Sequence, residues 1–282
     1  MKKILVPTDF SDSAQNALDF AIDIAKDDNA LVYILHVIEY PIGATIDPIG
    51  VSIVQPTDTE IIDTLTKNAR EKMEVLHNKY QDLAVVTKTF VDIGTPYLGI
   101  VEKISDENID LVIMGSHGAK GFKEFFIGSN AEKVVRHSPC PVITLKDTID
   151  KNNIKDIVFA SDFKELSDDV IEHLKEVQKT FEAQLHFVKI NTPNNFEKDR
   201  VNNELIKQMI EQHKFDNCTY NVYNDVYEED GLIHYAEDND VDMIAMATHG
   251  RTGISHLISG SIAEDVVNHA KRPVWTYHIN KN

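Results

Sequence analysis

One stretch of this chain occurs twice. Asp106 to Thr144 align without a gap to Asp238 to Thr276, at a constant shift of 132, with 16 identities in 39 positions. The shared residues include Asp110/Asp242, Met114/Met246, His117/His249, Gly118/Gly250, Gly121/Gly253, Gly128/Gly260, Ser129/Ser261 and Glu132/Glu264. The front of each copy repeats as well: KILVPTDF answers DIVFASDF at a shift of 153, which sets Asp9-Phe10 on Asp162-Phe163. A repeat this long is a whole domain, too long for a solenoid unit. The 282 residues therefore divide into two domains of one fold. The shifts differ by 21 residues, which the first copy carries in YPIGATIDPIGVSIVQPTDTE. That insertion, Tyr40 followed by residues 41–60, is apolar for a loop, and lid, interface and simple packing are equal readings of it. The polar run KDTIDKNN, Lys146 to Asn153, joins the copies. This puts a first domain at 1–146, a linker at 147–153 and a second domain at 154–282. Eight residues reach at most roughly 27 Å, so the domains stay close.

Within each copy short apolar runs alternate with helical patterns. In the first copy KILVP, LVYILHV, VVTKTFV, DLVIMG and PVITL read as strands. Ala14, Ala17, Leu18, Ala21, Ile22 and Ala25 recur at helical spacing, as do Ile61, Leu65, Ala69, Met73 and Leu76. Strands that are apolar throughout and alternate with helices belong to a parallel sheet covered on both faces. The expected fold is a doubly wound, Rossmann-like α/β domain, twice. Such sheets bind ligands beyond the carboxyl ends of the strands, where the winding reverses. Asp9 and Gly115 each follow a strand at that end.

The glycines then acquire a purpose. Met114-Gly115 ends a strand, Gly118 follows in the loop, and Gly128-Ser129 opens a helix carrying Ala131, Val134 and Val135. Glycine permits positive φ and lets backbone approach a ligand with no Cβ between them. A helix start offers unpaired N–H groups and a dipole that favours phosphate. The pattern describes a phosphate cradle without a lysine.

The spacing Gly115-x2-Gly118-x9-Gly128-Ser129 coincides with the G-x2-G-x9-G-[ST] signature of the ATP-binding branch of the universal stress protein family. ILVPTDFSDSA and LVYILHV look like that family's first two strands, and the resemblance covers the chain as two tandem domains. It implies a five-stranded parallel sheet of order 3-2-1-4-5 in each domain, with the first and fourth strands at the reversal point. It implies that Pro7, Thr8 and Asp9 flank an adenosine, with the Asp9 carboxylate accepting a hydrogen bond near adenine and ribose. Val37 and Met114 would contact the base, and Gly115, Gly118, Gly128, Ser129 and the Asn130 backbone would hold ribose and phosphates. Other roles stand beside these. Ser129-x-x-Glu132 and Ser261-x-x-Glu264 are also capping boxes, and Asp9 can cap a helix beginning near Ser11. Val37 and Met114 suit an ordinary core.

The second copy departs from the signature. Ala247 replaces its leading glycine, its first strand ends in Ala160-Ser161-Asp162, and Ile190 stands where the first copy has Val37. Met246, Gly250, Gly260 and Ser261 remain. A second, weaker nucleotide site or none is expected there, since one added Cβ can block close approach.

The expected ligand is ATP or AMP, with Mg²⁺ admitted as its companion and no structural metal. No Walker lysine, SGGxDS-like loop or Mg²⁺-binding carboxylate cluster accompanies the glycines, which favours binding over turnover and leaves slow ATP hydrolysis as an alternative. The twelve histidines form no HxxxH or HExxH pair, so solvated or capping roles are expected. A net charge of −18 argues against a nucleic-acid partner. Two cysteines outside any metal-type spacing read as reduced structural thiols. The lack of a signal-peptide core or an 18-residue apolar run points to the cytoplasm and away from the membrane. The last strands, CPVITL and RPVWTYHI, would leave open sheet edges. They are expected to pair antiparallel within the chain as a pseudo-dimer, with further homodimerisation through the insertion. A stress-response or signalling regulator and a nucleotide-independent interaction scaffold both fit, with the protein partner unspecified.

Overall fold

The structure is a computed structural model and describes residues 1–39, 44–46, 52–54, 59–83, 85–116, 127–164, 166–249 and 258–279. The first half runs β1 (Lys3–Pro7), α1 (Asp12–Asp28), β2 (Leu31–Ile38), β3 (Ala44–Ile46), β4 (Ser52–Val54) and α2 (Thr59–Tyr80). It continues β5 (Val86–Ile93), α3 (Pro96–Glu107), β6 (Leu111–Gly115), α4 (Ser129–His137) and β7 (Val142–Leu145). The second half runs β8 (Asp156–Ala160), α5 (Asp168–Phe181), β9 (Gln184–Asn191), α6 (Asp199–His213) and β10 (Cys218–Asn224). It ends with α7 (Glu228–Asp238), β11 (Met243–His249), β12 (Ile258–Ser259), α8 (Gly260–His269) and β13 (Val274–Ile279).

Each half forms the expected sheet. The strand orders β5-β2-β1-β6-β7 and β10-β9-β8-β11-β13 are both 3-2-1-4-5 when the short extra strands are set aside. The halves meet through their last strands, which pair antiparallel with Val274 opposite Thr144, Trp275 opposite Ile143 and Thr276 opposite Val142. One continuous sheet results, and the edge that each domain alone would expose is closed. Thr144 Oγ1 donates to the Val274 carbonyl at 3.3 Å, and Trp275 is fully buried beneath the join.

Helices cover both faces. One core layer joins α1, α2, α5 and α6 to the sheet through Leu18, Phe20, Met73, Leu174, Phe181 and Ile206. The other joins α3, α4, α7 and α8 through Ile100, Val134, Leu232 and Val266. Phe20 of α1 stacks on Phe181 of α5 with centroids 6.0 Å apart, so this core continues across the domain boundary. Alanines at 17, 21 and 25 allow α1 to lie close to the sheet, and Asn29 ends it in the left-handed conformation at φ 51°. The linker packs on α1 as well: Lys151 is buried and pairs with Asp27, and Thr148 Oγ1 donates to Asn16 Oδ1 at 2.9 Å. The helical pattern beginning at Ile61 forms α2, but Ile61 and Leu65 are exposed and only its later part, Ala69 and Met73, is buried. Of the insertion, the structure describes the antiparallel hairpin β3–β4. Among the described residues no helix is long and apolar enough to cross a membrane.

Candidate functional site

In the first domain β1 lies between β2 and β6, so the carboxyl ends of all three strands converge. The ladder between β1 and β6 holds only Ile4 to Leu111 and Leu5 to Val112. Continuing that register puts Pro7 level with Met114 and Thr8 level with Gly115, on strands that have already parted. Val37, near the end of β2, stands two residues beyond the β2 partner of Pro7, which is Leu35. Pro7, Thr8, Asp9, Val37, Met114 and Gly115 are thus gathered at one crevice. Met114 is buried and Val37 half-buried in the α3/α4 core layer. Gly99 of α3 leaves room for Val37, because a Cβ there would lie 3.0 Å from Val37 Cγ2.

The floor of the crevice is a double turn. Thr8 Oγ1 accepts the Phe10 N–H at 3.0 Å and Asp9 Oδ1 accepts the Ser11 N–H at 3.0 Å, which holds Phe10 at φ 65°. Ser11 then caps α1, accepting the Ala14 N–H at 3.2 Å. Asp9 therefore shapes the approach to α1, while Ser11 is the cap itself. His36 Nδ1 lies 2.8 Å from the Thr8 carbonyl, a contact that no sequence motif signalled.

One reading of the glycine loop gains a second cause and another is corrected. Gly115 does not have a positive φ; among the described glycines only Gly94 does. Its missing side chain is required by α1, since a Cβ would lie 2.1 Å from Ser13 Oγ and 2.8 Å from the Ser13 carbonyl carbon and oxygen. The capping box at Ser129 does not form either. Gly128 is the N-cap residue and has no side chain to cap α4, and the Glu132 N–H bonds to the Gly128 carbonyl at 3.0 Å. The helix starts one residue earlier than the box requires, which removes the capping alternative for Ser129, and among the described residues no side chain caps the first turn of α4. The Gly128 N–H donates to the Ser116 carbonyl at 2.7 Å, which ties the start of α4 to the end of β6. Ser116 was not singled out by the sequence motif, because its carbonyl rather than its side chain does this. Gly118 lies outside the described residues.

The second domain repeats the floor and alters the crevice. Ser161 Oγ accepts the Phe163 N–H at 3.1 Å and Asp162 Oδ1 the Lys164 N–H at 3.2 Å, with Phe163 at φ 57°. Here, however, the ladder between β8 and β11 runs on to Ala160 and Met246, two pairs further than its counterpart. Beyond it, β12 pairs in parallel with Thr248 and His249, on the edge of β11 that β13 does not occupy. Ser167 holds the N-cap position of α5 without a side-chain capping bond, three residues later than the position equivalent to Ser11, and the buried Ala247 is accommodated where Gly115 was demanded. Lys189 replaces His36; it is buried, and desolvation lowers its ammonium pKa against the opposing pull of Asp162 and Glu228. Ile190 packs beneath Gly231 as Val37 does beneath Gly99. Gly260 opens α8. Gly250 and the Ser261 side chain lie outside the described residues.

Comparison with known proteins agrees with this duplicated architecture. The sequence model of the universal stress protein family matches residues 1–146 and again residues 153–278. Universal stress protein MJ0577 of Methanocaldococcus jannaschii is 33% identical over 153 residues, covering 51% of this chain and 94% of the relative. Universal stress protein Slr1230 of Synechocystis is 23% identical over 290 residues, covering 98% of this chain and 100% of the relative. The crystal structure of a universal stress protein from Archaeoglobus fulgidus has a TM-score of 0.75 at 21% identity and covers 98% of both chains, a likeness of fold.

Proposed function

We propose that this chain, which belongs to the universal stress protein family, binds ATP or AMP in its first domain and acts as a regulator rather than a catalyst. The observation that carries this reading is the early parting of β1 and β6 above Leu5 and Val112, facing a helix start whose N-cap residue is a glycine with no side chain to cap it. Adenosine would enter between Asp9, Val37 and Met114, and the phosphates would meet the N–H groups of Ser129, Asn130 and Ala131. The α4 dipole favours their charge there. The second domain has the longer β8–β11 ladder, β12 along the free edge of β11, and Ala247 in place of glycine. These features support weaker binding or none, and a structural role for that half.

Gly128→Val tests the assignment. Gly128 adopts φ −61° and ψ 141°, a conformation open to any residue, so valine adds bulk at the start of α4 without backbone strain. ATP should raise the melting temperature of the wild type and leave that of the variant unchanged. Equal protection of both would place the nucleotide elsewhere. A steady-state ATPase rate that Gly128→Val abolishes would replace the regulator with a hydrolase.

A further inference from the structure

The start of α4 is held from two directions, one of them in the other domain. The Gly128 N–H bonds to Ser116 of its own domain, while the Ile127 N–H donates to Asn268 Oδ1 of α8 at 2.6 Å. Asn268 is itself fixed by the first domain, because Lys146 Nζ, just after β7, donates to its backbone carbonyl. The circuit thus leaves the first domain at Lys146, crosses to Asn268 and returns at Ile127.

Internal symmetry makes this contact informative. At the shift of 132, Ile127 corresponds to Ser259 and Asn268 to Arg136. An asparagine carbonyl accepts an N–H, whereas a guanidinium only donates. Arg136 therefore cannot give the second domain's loop the support that Asn268 gives the first. It instead places NH1 2.7 Å from Glu264 Oε1 across the α4–α8 contact. The pseudo-two-fold relation is broken in the direction that favours the first domain.

We propose that Asn268 is a positioning residue for the nucleotide site of the first domain, so that the second domain completes a site it does not itself form. The inference rests on the nucleotide reading above. With the N–H groups of Ile127 and Gly128 anchored, the next three N–H groups of α4 are aimed before any phosphate arrives, and less ordering remains to oppose binding. Without Asn268 the Ile127 N–H loses this acceptor, and more of the ordering of the α4 start falls to the ligand.

The test uses the full-length chain with Asn268→Leu, which keeps the size and removes the acceptor, and Asn268→Asp, which keeps an acceptor. Amide exchange at Ile127 without nucleotide and ATP affinity by calorimetry are the two readouts. In Asn268→Leu the Ile127 amide should exchange faster, and ATP should bind about five- to tenfold more weakly, the scale of one hydrogen bond. Asn268→Asp should keep the Ile127 amide protected. A merely structural role for Asn268 would lower the melting temperature equally with and without ATP, whereas the proposal requires the gap between those temperatures to narrow. Wild-type binding matched by Asn268→Leu would overturn the proposal and spare the nucleotide reading. No binding by the wild type would overturn the nucleotide reading together with the affinity claim, and unchanged Ile127 exchange in Asn268→Leu would remove the clamp as well.

Discussion

Gly115→Ala tests why the leading glycine of the loop is needed. The added Cβ would lie 2.1 Å from Ser13 Oγ and 2.8 Å from two backbone atoms of Ser13. A rotamer change of Ser13 relieves the first contact. The other two require the first turn of α1 to recede by roughly 0.7 Å, the distance to an ordinary carbon contact. Overpacking of this kind costs about 1–3 kcal/mol. In a chain of this size that is a fall of about 2–5 °C in melting temperature. Thermal unfolding followed by far-UV circular dichroism measures it. Adding Ser13→Gly should recover part of the loss, since the backbone contacts persist. The reverse change in the second domain, Ala247→Gly, relieves no overlap, because α5 begins three residues later and leaves room for alanine, and should cost about 1–2 kcal/mol by backbone entropy and one lost buried methyl. A Gly115→Ala protein melting within about 1 °C of the wild type would refute the packing argument.

The remaining predictions concern the join and three titratable groups. Trp275 is the only tryptophan and is fully buried at the β7–β13 junction, so its emission should be blue-shifted and should redden as the junction opens. Trp275→Ala should cost about 3–5 kcal/mol, and Trp275→Phe distinctly less because Nε1 has no hydrogen-bond partner among the described residues to lose; equal denaturation midpoints for the two variants would contradict this. Burial pushes the Cys140 thiol up to about 12, so thiol reagents should label it only on unfolding, and rapid native labelling would place it elsewhere. The His234–Asp225 hydrogen bond, at 2.7 Å, raises the His234 pKa and lowers that of Asp225. The His234 contribution is full below its unfolded pKa and fades as pH rises through its folded value. The Asp225 contribution is full above its unfolded pKa and fades as pH falls through its folded value. Asp225→Asn should therefore lower the His234 pKa by NMR titration and cost stability mainly in the mildly acidic range between them, about 1 kcal/mol or less for a pair whose histidine is exposed; an unmoved His234 titration would exclude the pair.

Much of the architecture was legible because it was written twice. The apolar strands, the helix spacing of Ala14 to Ala25 and the repeated Thr/Ser-Asp-Phe turn each have a local physical cause. So does the pairing of the two last strands, since an unpaired apolar edge demands a partner. What stayed hidden depends on contacts between distant residues. The reason for Gly115 lies in Ser13, a hundred residues away, and the anchor of Gly128 is a backbone carbonyl, which no side chain announces. The capping box at Ser129 satisfied a local rule that the actual start of α4 does not use. Asn268 and Arg136 are ordinary polar positions until the pseudo-two-fold sets them across from each other.

Calorimetric titration of ligand-stripped protein with ATP and with AMP tests the central claim most directly, because it reads stoichiometry along with affinity. The account predicts one saturable site per chain, lost in Gly128→Val. No heat above background, or two sites of equal affinity, would contradict it.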